Sequence, residues 1–387
     1  MSRSWWTKQR KTARRMTFLR TFKITIFLIA LAAGGVLLYL YVPQESFNSA
    51  LGEPTSQVRI GYFDGGRVNM LYRAYINNYF EEEGVPVSLY TKFLNEKEIF
   101  QISKTYREVQ ELKQGRERSG RIPGFGKISG IEIVDKIMAG ELDGGTIGES
   151  SFIASVARGV PIVAVAQLGY ERIPGKAIVM RRDALVESSQ DLRGKTLASR
   201  RAGPGEEVFL REFLDAEGLT ENDLTIIDQV DEDDMSNWFR DGKIDGGLFH
   251  IFTVKHMVEH GEGYIYRQMD WMNSELSHAL LVFRKDYVRN HRDKVQKVVN
   301  AYAKRIAYEK ALPDEEKDRS WNKALMMEGE FQGLRIAAYD FPPLVKIDLL
   351  EEMQDLLFKY NKIDQKVSLS EFITNEFVEK FYYEKFQ

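Results

Sequence analysis

The chain is 387 residues long, 43% hydrophobic and without cysteine, which excludes a disulfide framework, a thiolate metal site and a cysteine nucleophile. Its formal charge of −3 is unevenly spread: residues 1–23 hold eight basic groups (Arg3, Lys8, Arg10, Lys11, Arg14, Arg15, Arg20, Lys23) and no acid, so the rest stands eight units lower, at −11. An acidic body behind a basic tail argues against nucleic acid as a partner.

In chain order, the first feature is Ile24 to Val42, an uncharged run of 19 residues. As a helix it would span about 28 Å, close to the hydrocarbon thickness of a bilayer. The basic residues 1–23 before it, and Tyr39, Tyr41 and Pro43 at its far end, predict a cytoplasmic N-terminus and an exported body. The rival reading is a cleaved signal, whose apolar region should run about 7–15 residues and end in small residues. Cleavage after Ala50 would leave Asn48 at −3, and Arg14-Arg15 with Phe18-Leu19 misses a twin-arginine signal by one residue. An uncleaved, single-pass anchor at 24–42 with a tether at 43–56 is therefore expected.

From residue 57 on, short apolar runs alternate with amphipathic helices, the pattern of an α/β fold. Val58 to Phe63 reads as a strand broken at Asp64-Gly65-Gly66-Arg67, followed by a helix over Val68–Glu83 that Gly84 stops. A strand over Val85–Tyr90, a helix at 131–139, a strand from Gly144 to Ile147 and a helix Ser151–Arg158 capped by Ser150 come next. Pro161 to Gln167 form a buried strand. A similar series restarts at Lys176, with strands near 177–180, 195–199 and 224–228 and helices at 206–217 and 232–241; after Leu280 to Phe283 the chain is mostly helical. Residues 93–128 look inserted: Ile99, Ile102, Tyr106 and Val109 share a helical face, and a glycine-rich basic loop follows.

One pattern recurs. Gly140-Glu141-Leu142-Asp143-Gly144-Gly145 and Gly242-Lys243-Ile244-Asp245-Gly246-Gly247 share G-x-[LI]-D-G-G at an offset of 102 residues. In each, glycine can cap a helix and aspartate opens the turn into a strand. This suggests two lobes of related build, although G-x-Φ-D is also a common helix-to-strand turn.

Several stretches carry a family resemblance: Arg59 to Tyr62, Tyr79 to Val87, Ala139 to Asp143 through Ile147 to Ser150, Gly159 to Ala166, and Asp191 to Ala198. Together, over residues 57 to 375, they resemble the nitrate/sulfonate/taurine-binding proteins, solute receptors of ABC importers with relatives that bind thiamine-pyrimidine precursors. The resemblance implies a two-lobed type II periplasmic-binding-protein fold that closes on its ligand. Lobe 1 would be 57–168 plus 276–387 and lobe 2 170–272. It also implies a permease and an ATPase as partners.

Physics places the site independently, since ligands of open α/β sheets sit beyond the carboxyl ends of strands, against helix starts. Those positions hold Asp64, Gly65, Gly66 and Arg67; Gly148, Glu149, Ser150 and Ser151; Arg200 and Arg201; and Phe249 and His250. Plainer readings exist for each group: a tight turn for Asp64 to Gly66, an N-cap for Ser150, a solvated pair for Arg200-Arg201, a buried core residue for His250. The loop Ala202-Gly203-Pro204-Gly205-Glu206 departs from the family in lacking a hydroxyl. Asp64 and Glu149 add negative charge, so an organic solute with an amine or ring nitrogen fits better than nitrate.

Enzyme motifs are missing or incomplete. Gly169 to Lys176 is one residue too long for a P-loop and continues into Ala177, and no G-x-S-x-G occurs. His256-Met257-Val258-Glu259-His260 matches H-x-x-E-H, but Gly261 follows directly and no third ligand is identifiable. No cofactor, metal or catalytic role is expected. The sequence thus predicts a solute receptor anchored in the cytoplasmic membrane with its body periplasmic, delivering a small organic solute (sulfonate/taurine-like or pyrimidine/amine-like) to an ABC importer. The alternatives are an extracytoplasmic enzyme on the same scaffold and a binding module feeding a sensor.

Overall fold

Two sheets with matching strand orders organise the chain, and the reason lies in how it crosses between them. The structure is a computed structural model; it describes residues 57–63, 66–91, 100–101, 128–171, 175–201, 203–317 and 337–386. The basic tail, the apolar run 24–42, the tether 43–56 and nearly all of the insertion 93–128 lie outside these. Among the described residues no helix is long and apolar enough to cross a membrane.

The strands of the first sheet are β1 (Val58–Gly61), β2 (Val87–Thr91), β3 (Phe100–Gln101), β4 (Gly144–Gly148), β5 (Ile162–Glu171), β11 (His278–Arg284) and β12 (Ala337–Ala338). Their order is β12-β5-β11-β4-β1-β2-β3. The second sheet is built from β6 (Lys176–Arg181), β7 (Thr196–Arg200), β8 (Thr225–Val230), β9 (Gly246–His250) and β10 (Gly263–Gln268), in the order β10-β6-β9-β7-β8. β1 runs parallel to β2 and β4, as β7 does to β8 and β9. β4 and β9 are then flanked by antiparallel β11 and β6 respectively. Five strands therefore correspond in order and sense: β5-β11-β4-β1-β2 with β10-β6-β9-β7-β8. In each sheet the antiparallel strand is the one by which the chain has just arrived from the other sheet, β6 directly after β5 and β11 after β10.

The recurring G-x-[LI]-D-G-G motif performs one task twice. Gly140 and Gly242 take φ of +74° and +73°, the left-handed conformation that closes a helix. The Asp143 N–H donates to the Arg59 carbonyl (2.9 Å) while its carboxylate accepts the Arg59 N–H (2.8 Å). Asp245 makes the same pair with Thr196, at 2.8 Å and 2.8 Å. Each aspartate thus pins the start of its lobe's parallel strands.

Strand alternation divides the core into two layers. Leu281, Phe283, Val179 and Phe249 face one layer, with Tyr302 and Phe239. Leu280, Val282, Met180 and Leu248 face the other, with Phe152, Phe209, Phe213 and Met353. The helices over these faces are α1 (Asn69–Ile76), α2 (Tyr79–Glu82), α3 (Gly130–Met138), α4 (Glu149–Ala157), α5 (Pro204–Ala216), α6 (Glu232–Arg240), α7 (Ile251–Glu259), α8 (Lys285–Asn290), α9 (Arg292–Ala311), α10 (Ile347–Lys359) and α11 (Glu376–Phe386).

Three local expectations change. The helix expected over 68–83 is split, because Asn78 turns left-handed (φ 62°) and the Asn77 side-chain amide donates to the Arg73 carbonyl at 2.8 Å. The helix after β4 begins at Glu149 with Gly148 at its cap, so Ser150 lies inside the first turn and is not the cap. The strand expected to end at Gln167 runs on to Glu171, which places the first crossing between Glu171 and Lys176.

Candidate functional site

The carboxyl ends of β1, β4, β7 and β9 carry the residues that meet where the lobes touch. Arg67 sits in a short 3-10 turn, Gly66–Val68, beyond β1. Its Nη1 donates to Glu149 Oε2 (3.2 Å), Ser277 Oγ (3.2 Å) and the His278 carbonyl (3.0 Å). The Phe63 N–H donates to Thr146 Oγ1 (3.1 Å), fixing the end of β1 on β4, and the Gly66 carbonyl accepts the Tyr339 hydroxyl. Glu149, first residue of α4, is 2% exposed, and Ser150 and Ser151 behind it are buried too.

The second lobe approaches through the loop into α5. A Cβ at Gly205 would lie 2.8 Å from Ser150 Oγ and 3.2 Å from Glu149 Oε1, and one at Gly203 2.8 Å from Ser151 Oγ. The lobes are closed on one another at this point, and the absence of side chains at 203 and 205 permits it. Glu206, 4% exposed, accepts on Oε1 from Arg200 Nη2 (3.2 Å) and lies 3.1 Å from the Lys176 ammonium.

Lys176, 1% exposed, joins the lobes. Its ammonium lies 2.7 Å from Glu171 Oε2, donates to Ser277 Oγ (3.0 Å) and sits 4.4 Å over the Phe209 ring. The Ser277 hydroxyl accepts from Arg67 and Lys176 and donates to Glu171 Oε2 (2.7 Å). His250 Nε2 stands 3.4 Å from Glu171 Oε1. Glu171 and Lys176 border one crossing between the sheets and Ser277 the other, so this cluster is also the hinge.

The carboxylates behave differently. Burial pushes the Glu149 carboxyl up, against the pull of Arg67 and Lys176. Burial is the largest single influence on Glu171 and Glu206 and would raise both, but the surrounding cations together outweigh it, Lys176 with His250 and Arg67 at Glu171 and Lys176 with Arg200 at Glu206, and hold both below the usual range. Burial pushes the His278 imidazole down to about 4, so it is neutral at ordinary pH.

Of the residues expected at the site, the structure brings together Gly66, Arg67, Gly148, Glu149, Ser150, Ser151, Arg200 and His250. Asp64 and Gly65 lie outside the described residues. Arg201 turns outward: its side chain is 59% exposed and pairs with Asp231 at 3.5 Å. Phe249 points into the core, edge-on to Phe239 with centroids 5.5 Å apart. Strand alternation separates it from its neighbour His250. Sequence reasoning misses Lys176, Glu171, Glu206 and Ser277. For Lys176 and Glu171 the one signal is charge at the end of an otherwise apolar strand; Glu206, in the first turn of α5, and the uncharged Ser277 give none. In the H-x-x-E-H segment the two imidazoles are 4.1 Å apart and His260 Nδ1 lies 2.9 Å from the His256 carbonyl. Among the described residues no group of three or more histidine, aspartate or glutamate side chains is placed to hold a metal ion.

Residues 130–316 match the protein family described as NMT1/THI5 like. No curated protein matches the chain. Among solved structures, it is similar to the alkanesulfonate-binding protein SsuA from Xanthomonas axonopodis pv. citri bound to MOPS, at 14% identity, covering 83% of this chain and 98% of that one, with a TM-score of 0.57. It is similar to the periplasmic nitrate-binding protein NrtA from Synechocystis PCC 6803 at 11% identity, covering 86% and 90%, with a TM-score of 0.60. The desulfurization enzyme DSZB is also similar, at 12% identity, covering 84% and 99%, with a TM-score of 0.56. The chain therefore has the two-sheet α/β fold of the periplasmic binding proteins, a fold that also carries an enzyme.

Proposed function

We propose that the protein is an extracytoplasmic solute-binding protein, tethered to the cytoplasmic membrane through residues 24–42, that delivers a small organic solute to an ABC importer. The observation that carries the reading is the closure itself. Charged side chains from both lobes, buried Glu149 and half-buried Arg67 from one and buried Lys176 and Glu206 with half-buried Arg200 from the other, converge where Gly203 and Gly205 touch Ser150 and Ser151. A solute held there would contact both lobes and draw the open–closed equilibrium toward closed by its differential affinity for that state. The sulfonate-binding proteins that share the fold favour a sulfonate/taurine-like ligand, and the buried carboxylates of Glu149 and Glu206 a pyrimidine/amine-like one. A tether would keep the receptor at high effective concentration beside its permease.

Thermal-shift screening of the full chain against sulfonates, amino-sulfonates, pyrimidines and amino acids tests the reading. A ligand at 100 times its dissociation constant should add about 2.7 kcal/mol of stability. Binding should be saturable and leave the solute chemically unchanged. Turnover of a bound solute would favour the enzyme reading, to which the buried Glu149, its carboxyl pushed up by burial, and the likeness to DSZB lend support. The anchor is tested separately: the chain should stay with membranes through carbonate washing, and a soluble mature form starting near Leu51 would overturn it.

A further inference from the structure

Glu206 is buried, yet only one of its carboxylate oxygens is engaged. Oε1 takes both Lys176 and Arg200, whereas Oε2 is buried without a hydrogen-bond partner. An acceptor removed from water with nothing donating to it is costly, and a carboxylate oxygen more so than a neutral one. Facing it from the other lobe is Glu149, whose Oε2 has one contact with Arg67 and whose Oε1 is directed toward Gly205. The two are close enough for the charge on Glu206 to help raise Glu149. Two of the nearby cations are already divided. Arg67 Nη1 is shared among Glu149, Ser277 and the His278 carbonyl, and Lys176 among Glu171, Glu206 and Ser277. His278, beside Arg67, shows the same shortage of donors: its Nδ1 can only donate to the Glu275 carbonyl (3.0 Å), leaving Nε2 a buried acceptor without a partner.

We propose that Glu206 and Glu149 select a solute whose head group donates hydrogen bonds, a protonated amine or an amino-bearing nitrogen ring, and discriminate against acceptor-only anions. The proposal rests on the solute-receptor reading and names its ligand class. A donor between the two carboxylates satisfies Glu206 Oε2 and links α4 of one lobe to α5 of the other, so it strengthens only in the closed form. A nitrate or plain sulfonate oxygen placed there would face a carboxylate with no proton between them.

The test is isothermal titration of the full chain with matched probes: 2-aminoethanesulfonate against ethanesulfonate, 4-aminopyrimidine against pyrimidine, and nitrate. The amino member of at least one pair should bind about ten-fold or more tightly than its partner, the scale of a charge-assisted hydrogen bond. Glu206→Gln should erase most of that preference, and Glu149→Gln serves as the second variant should the first melt abnormally. Ethanesulfonate or nitrate binding as tightly as the amino probes overturns the proposal while leaving a solute receptor in place. A preference untouched in both variants overturns the assignment to these two residues. No binding by any probe overturns this proposal alone; the receptor reading falls only if the wider thermal-shift screen also finds no ligand.

Discussion

Lys176→Met separates an electrostatic hinge from a merely packed one. Methionine keeps the apolar stem over Phe209 but deletes a cation that contacts both Glu171 and Glu206. Removing one partner of a buried ion pair typically costs about 3–5 kcal/mol, because the remaining charge is left uncompensated; two carboxylates are left here, with Arg67, Arg200 and His250 offsetting part of the loss. The pH dependence carries the sign. In the wild type both carboxyls are held below their ordinary range, so their contribution is present above the unfolded-state value of about 4.3 and fades as pH falls through the lower folded values. In the variant burial dominates and the folded values rise above about 4.3, so stability is greatest below that pH and declines as pH rises. Thermal or urea unfolding of the full chain between pH 4 and 8 should show the deficit widening from acid to neutral pH. Adding Glu171→Gln should recover part of it near pH 7. A deficit below about 1 kcal/mol, or one that does not vary with pH, would refute the reasoning.

Gly205→Ala places a methyl group 2.8 Å from Ser150 Oγ in the closed form only. Overpacking of about 1–3 kcal/mol should weaken solute binding and enlarge the liganded particle in small-angle scattering, while the unliganded melting temperature stays near wild type; unchanged closure would count against the contact. Lys359 reaches Glu212 and Asp215 on α5 at 2.7 Å each, and Lys362 pairs with Glu207, so the end of α10 grips the second lobe. Replacing Lys359 by alanine should cost little overall stability but make solute affinity less sensitive to salt, because its half-exposed pairs are screened; an unaltered salt slope in titration would reject the grip. Asp143→Ala and Asp245→Ala should each lower stability by about 1–3 kcal/mol in unfolding experiments, since each orphans a strand N–H. A large loss at one site and none at the other would show that the two copies of the motif do different work.

Most strands were legible because apolar runs punctuated by glycine and aspartate leave few alternatives in an α/β chain, but β10 and the order of strands within each sheet were not. The carboxyl-end rule then located Arg67, Glu149, Arg200 and His250 with no pairing known. It could not separate the two members of a dipeptide: Arg200 turns in and Arg201 out, His250 in and Phe249 into the core, according to strand phase. Lys176 and Ser277 are 101 residues apart. Charged residues around the turn at Gly175 look like a solvated loop until the second crossing is folded against the first. The helix start moved from Ser151 to Glu149 because serine and glutamate are both favoured in that region, and only the backbone of Gly148 decides.

The matched strand orders explain why the charged cluster sits where it does. Each sheet is finished by a strand that arrives from the other, so residues at the two crossings belong to both lobes. Glu171 closes β5 as Lys176 opens β6, and Ser277 precedes β11. Hydrogen bonds tie the crossings together, from the Glu171 N–H to the Ser277 carbonyl (2.8 Å) and from the Met269 N–H to the Lys176 carbonyl (3.1 Å). A rotation that opens the lobes can separate Gly205 from Ser150 while leaving these short links intact, because they lie at the crossings and not at the rim. The Lys176–Glu171 pair is then a fixed part of the pivot. The Lys176–Glu206 and Arg67–Glu149 contacts differ: each joins a pivot or first-lobe residue to a helix start facing the interface. Charge at the pivot holds the lobes in register, and charge at the helix starts is what a bound solute would compete for or complete.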